Sequence, residues 1–129
     1  MIAAIRNAAP DSLIFVPGTN WAYDLRGMPM DIPHLVYSTH VYPIKGNGWA
    51  KAFGHLAGQV PLFAGEWGGV DGDLEWGSRL VDYFDSLQMG WTAWSWYNAP
   101  FIVERYTPTP FGRIVRARLS AESGNRGSA

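Results

Sequence analysis

Glu66 is the residue whose setting most strongly suggests chemistry. It follows the apolar run Leu62-Phe63-Ala64 and lies in Ala64-Gly65-Glu66-Trp67-Gly68-Gly69. A carboxylate in apolar surroundings is costly unless it is paired or hydrogen-bonded. Such a group can act as a nucleophile or general base. A Glu that faces water at a strand end would have the same local sequence. His40 and Tyr42 end a second apolar run and stand two apart, so on a strand they share a face. They are candidates to orient Glu66, and equally a core His beside a packed Tyr. Trp94 suits a sugar platform, because aromatic faces stack on sugar rings, while Trp96 reads as core. Trp21 follows the first apolar run in a loop, where a ligand role and a packed cover are both open. Trp49, Trp76 and Trp91 read as packing residues. His34, His40 and His55 show no recognised metal-ligand spacing.

These side chains need elements to position them. Ile2 to Ala9 reads as a short helix ended by Pro10-Asp11. Leu13 to Val16 is a continuous apolar run stopped by Pro17-Gly18, the pattern of a strand buried on both faces. Thr19 to Pro33 is a long loop broken by Gly27, Pro29 and Pro33. Leu35 to Val41 is rich in β-branched and aromatic residues and reads as a second strand. A helix over Trp49 to Leu56 follows, then a third strand over Leu62 to Ala64, closed by Gly65 to Gly69. Leu74 to Gln88 is the longest helix and Trp91 to Trp96 a fourth strand. Pro100, Pro108 and Pro110 punctuate a second long loop. Phe111 to Leu119 is a last helix, with Arg113, Arg116 and Arg118 solvated near its C-terminus. Strands alternating with helices predict an α/β fold with about four parallel strands.

In such folds chemistry gathers at the C-terminal ends of the strands. Strict alternation puts Val36, Ser38, His40 and Tyr42 on one face of the second strand. It puts Leu62, Ala64 and Glu66 together on the third, and Gly90, Thr92, Trp94 and Trp96 on the fourth. His40, Tyr42, Glu66 and Trp94 then reach the same end of the sheet. Asp24, Asp71, Asp73, Glu75 and Glu104 read as solvated loop or helix-start carboxylates.

Composition bounds the function. The 129 residues suit one domain, taken as 1–119, with a flexible Ser/Gly/Asn-rich tail over 120–129. Ten Lys and Arg against eleven Asp and Glu argue against nucleic acid as a partner. No apolar stretch has the length of a membrane span, and the start lacks the apolar segment of a signal peptide. Without Cys there is no disulfide framework, thiolate metal site or Cys nucleophile. Seven Trp, six Tyr and six Phe can serve a core, and can also stack on flat ligands and sugar rings.

Taken in order, the motifs resemble glycoside hydrolase family 5, the cellulase-like (β/α)8 barrels. Leu35 to Tyr42 is similar to that family's sixth strand with its His-x-Tyr, and Gly65-Glu66-Trp67-Gly68 to its seventh. Trp91 to Trp96 is similar to the eighth strand, Ile14 to Gly18 to the fifth, and Tyr106 to Gly112 to the closing segment. The resemblance implies that Glu66 is the nucleophile, that Tyr42 donates a hydrogen bond to it, that His40 lines the catalytic subsite and that Trp94 stacks under the sugar. It implies a retaining β-glycanase hydrolysing β-1,4 bonds of a polysaccharide or oligosaccharide, with no metal or organic cofactor, and often an extracellular setting. The family's Asn-Glu-Pro motif, which carries the acid/base Glu, has no counterpart, since the chain contains no Asn-Glu pair. A whole barrel needs about 250 residues. The expectation is therefore the C-terminal half of a TIM barrel, strands five to eight, completed by self-association as a homodimer. The second carboxylate would come from another Glu66, from Asp24 or Glu104, or from a partner chain. A non-catalytic carbohydrate-binding or structural half barrel is the alternative.

Overall fold

The computed structural model describes residues 1–29, 32–69 and 73–125. Helix α1 spans Ile2–Ala8, strand β1 Ile14–Pro17, β2 Leu35–Val41, helix α2 Trp49–Ala52, β3 Leu62–Trp67, α3 Leu74–Ser86, β4 Gly90–Ala93, β5 Val103–Glu104, β6 Thr107–Pro108 and α4 Pro110–Asn125. β1 to β4 form one sheet in chain order, and every neighbouring pair is parallel. This is the expected α/β arrangement. Parallel strands need crossovers, and α2 and α3 supply the last two. The long segment between β1 and β2 contains no helix among its described residues, and it holds its shape otherwise. Thr19 and Asp24 exchange backbone hydrogen bonds, and Leu25 N–H donates to Ala52 O at 2.9 Å.

The core lies on one side of the sheet. Tyr37, Thr39 and Val41 of β2 and Ala64 and Trp67 of β3 are buried there against Phe53, Leu80, Val81, Phe84, Phe111 and Val115. α3 turns Trp76, Leu80, Val81 and Phe84 inward at helical spacing. Asp73 is the cap of this helix, accepting from Trp76 N–H at 3.0 Å, rather than a freely solvated acid. Arg118 is likewise not simply solvated. It bridges α4 to α3 through Asp82 at 2.5 Å and Asp85 at 3.8 Å.

The opposite sheet face is open. Phe15 is half-exposed and meets Phe63 edge-on, with ring centroids 5.3 Å apart. β1 is therefore not buried on both faces, as its continuous apolar run predicts. It is an edge strand, and no described element covers that face.

The alternation expected for β3 is also corrected. Leu62 and Ala64 pack on the helix side, not beside Glu66. Register explains how Glu66 still reaches His40. Thr39 pairs with Ala64, but His40 pairs with Glu66, so Gly65 is an extra residue, a β-bulge. Gly65 and Glu66 thus both stand on the open side before Trp67 returns to the core. A side chain at Gly65 would overlap the Ser38 hydroxyl and lie 3.0 Å from His40 Nε2, so only glycine fits.

Other boundaries differ. β3 runs three residues beyond Ala64 because the bulged segment keeps pairing. β4 ends at Ala93, before Trp94. The second long loop contains the β5–β6 hairpin. α4 continues through Asn125, so the segment expected to fray from Ser120 starts within a helix. Asp71 and residues 126–129 lie outside the described residues.

Candidate active site

β2 and β3 carry their polar residues to the same end of the sheet. Tyr42 Oη donates to Glu66 Oε2 at 2.8 Å, and His40 Nδ1 lies 3.5 Å from Glu66 Oε1. The side chains of His40 and Glu66 are 29% and 28% exposed, open enough to meet a ligand and enclosed enough to hold their geometry. Tyr42 has its pKa pushed well above the ordinary phenol value, by burial first, then by its bond to Glu66 and that carboxylate's charge. Its proton therefore stays on, and Tyr42 remains a donor at neutral pH.

These three residues open into a cleft also lined by Pro17, Trp21 and Lys45. Trp21 is 85% exposed, so it is not a packed cover. Its loop is latched to the sheet. His40 N–H donates to Ala22 O at 3.2 Å, and the buried Thr39 hydroxyl donates to Tyr23 O at 2.9 Å. Asn20, Trp21 and Ala22 all have φ between 53° and 63°. Side chains disfavour that left-handed region, and such residues concentrate at functional sites. Lys45 Nζ sits 4.7 Å from the Trp21 ring centroid and donates to Asn20 Oδ1 at 2.8 Å.

Trp94 does not line this cleft. Its N–H donates to Trp67 O at 2.7 Å, which holds the end of β4 beside β3. Its carbonyl oxygen and the Tyr42 ring crowd Gly68, where a side chain would lie 3.0 Å from the first and 2.9 Å from the second. Glycine at 68 thus lets the ends of β2 and β4 converge. Trp96 is 71% exposed, not core, and borders an apolar groove between the β5–β6 hairpin and α4.

Asp24 is removed from consideration as a proton donor. Arg26 Nε donates to its two oxygens at 2.9 and 3.0 Å, and the Asp24 pKa is pushed down to about 2, chiefly by this pairing. It therefore stays ionised. Glu104 is exposed in β5. Among the described residues no three His, Asp or Glu side chains gather as a metal site.

Lys45 and Asn20 escaped the reading of the sequence. Lys45 has only its place three residues after Tyr42 as a signal, and nothing in periodicity marks it.

The profile of the Cellulase family (glycosyl hydrolase family 5) matches residues 1–100. The chain belongs to glycosyl hydrolase family 5. Endoglucanase MaCel5A of Microbulbifer sp. (strain ALW1) is 28% identical over 114 residues, covering 74% of this chain and 22% of that protein. The catalytic domain of the major endoglucanase from Xanthomonas campestris pv. campestris is 27% identical with a TM-score of 0.70, over 88% of this chain and 45% of that one. The catalytic domain of Thermobifida fusca endoglucanase Cel5A shares the fold, with a TM-score of 0.74 at 19% identity, over 92% of this chain and 49% of that one. This family 5 chain thus spans under half the length of those relatives, and its four parallel strands match part of their barrel.

Proposed function

We propose that this chain carries the nucleophile side of a retaining β-1,4-glucanase site. The observation that carries the reading is the Glu66 carboxylate, held by the Tyr42 hydroxyl at the open end of a cleft. Glu66 would attack the anomeric carbon of a glucan unit. The glycosidic bond would break, its electron pair leaving with the departing oxygen, and a glycosyl ester on Glu66 would form. Tyr42 would fix the attacking carboxylate, His40 would line the same sugar, and Trp21 would offer a stacking face. The similar proteins are endoglucanases, which favours a β-glucan over other glycans.

Retaining hydrolysis needs a second carboxyl group about 5–5.5 Å from the first, to protonate the leaving oxygen. With Asp24 held ionised by Arg26, we assign that role to another chain. β1 and β4 each pair on one side only, and an unpaired edge invites another strand. A second copy in C2 symmetry, β1 of each beside β4 of the other, would close an eight-stranded barrel.

The nucleophile can be tested without the acid. A 2-deoxy-2-fluoro cellobioside with a dinitrophenolate leaving group needs no protonation. It should label Glu66, read as a mass increase on the peptide containing it, and Glu66→Gln should not be labelled. Cello-oligosaccharide binding with no label on Glu66 would favour the alternative, a carbohydrate-binding domain without turnover. That alternative has one observation behind it, the single matched carboxylate.

A further inference from the structure

Lys45 lines the Glu66 cleft and also a second pocket, which it shares with Asn20, Tyr23, Asp24, Arg26 and Lys51. The charges around that second pocket do not balance. Three cations stand with one acid, and the acid is already committed, because Arg26 binds both Asp24 oxygens and donates its backbone N–H to one of them. Lys45 rests on neutral groups only, the Asn20 amide oxygen and the Trp21 ring. Among the described residues neither Lys45 nor Lys51 forms an ion pair. Tyr23, 7% exposed, ends in a hydroxyl with no hydrogen-bond partner, and a side chain at Gly48 in the same pocket wall would lie 3.7 Å from it. A pocket with surplus positive charge at the end of a glycan cleft is matched by an anion carried on the glycan.

We propose that this pocket is a subsite for a sugar-borne carboxylate, on a uronate or carboxymethyl-substituted unit, while the neutral backbone of the same glycan lies in the Glu66 cleft. The proposal rests on the reading of that cleft as a glycan site. Lys45 links the two. A sugar stacking on Trp21 meets the ammonium group, which is then free to turn from the indole to the carboxylate, and Lys51 provides the second contact.

The test is a tryptophan-fluorescence titration of the purified chain with cellohexaose and with cellohexaose bearing one carboxymethyl group. The charged ligand should bind roughly fivefold more tightly at low salt, the size expected of one or two solvent-exposed ion pairs. The preference should vanish in 1 M NaCl. Lys51→Gln should reduce the preference without changing affinity for cellohexaose, and Lys51→Arg should keep it. Equal binding of the two ligands would overturn the subsite and leave the glycan cleft standing. A preference that survives both high salt and Lys51→Gln would also overturn it. Binding of neither ligand would overturn the cleft reading and the subsite with it.

Discussion

The Tyr42 hydroxyl and the Glu66 carboxylate, 24 positions apart in the chain, meet at 2.8 Å. One follows β2 and the other belongs to β3, so their meeting depends on the register between those strands. That register changes by one residue at Gly65, and the change turns Glu66 toward Tyr42. A strand of strict alternation would place Glu66 on the core side with Ala64 and turn Trp67 out to the open face.

Tyr42→Phe removes the donor and keeps the ring. A hydrogen bond to a charged group contributes about 1.5–3 kcal/mol, so labelling of Glu66 by the fluorosugar should slow about 10- to 100-fold. The melting temperature should move little. An unchanged labelling rate would show that Tyr42 does not position the carboxylate.

Gly65→Ala places a methyl group against Ser38 and His40. Overpacking of this kind costs about 1–3 kcal/mol, and relief requires His40 or the bulge to shift. Stability and Glu66 labelling should fall together. Adding Ser38→Ala removes the hydroxyl nearest the new methyl and should restore part of both. A fully stable, fully labelled Gly65→Ala protein would contradict the bulge geometry.

Alkaline stability follows from three tyrosines. Burial raises the pKa of Tyr23, Tyr42 and Tyr83. The folded chain then holds these protons more tightly than the unfolded chain, whose tyrosines titrate near 10. Their contribution is whole below about pH 10 and declines above it. Urea midpoints between pH 9 and 11 should fall with pH, and Tyr42→Phe should flatten part of the fall. Equal slopes in both proteins would refute the assignment to Tyr42.

Asp24 gives the opposite sign. Its pKa is depressed to about 2, with the Arg26 hydrogen bond as the largest cause. The stability it contributes is present above the unfolded carboxylate value near 3.9 and is lost as pH drops toward 2. Arg26 is half-exposed, so solvent screening keeps the contribution of the pair small. Asp24→Asn should leave the protein slightly weaker at pH 7 and flatten its acid decline below pH 4, followed by circular dichroism.

The open edges and the half-exposed Phe15 predict association. Light scattering should give twice the 14.3 kDa chain mass, and Phe15→Lys should shift the population toward monomer. A monomer at all micromolar concentrations, with unchanged circular dichroism, would rule out the second-copy barrel.

Much of this was legible in the amino-acid order. Short apolar runs ended by Pro or Gly mark β1, β2 and β3, and the inward residues of α3 repeat at helical spacing, because burial of one face imposes a period on the chain. His40, Tyr42 and Glu66 were readable as candidates because polar groups at the ends of apolar runs are conspicuous. The β5–β6 hairpin was not legible, since two-residue strands set no period. Nor was Trp96 on the surface, since residue type alone does not separate a packed Trp from an exposed one.

The sequence by itself determined the types of the longer elements, the parallel sheet and the polar residues at the strand ends, all of which follow from local pattern. Only the tertiary structure decided which side of β3 Glu66 faces, that Arg26 holds Asp24, and that Lys45 lies over Trp21. Each of these depends on register or on contacts between separate segments, and a single added residue such as Gly65 reverses what alternation predicts.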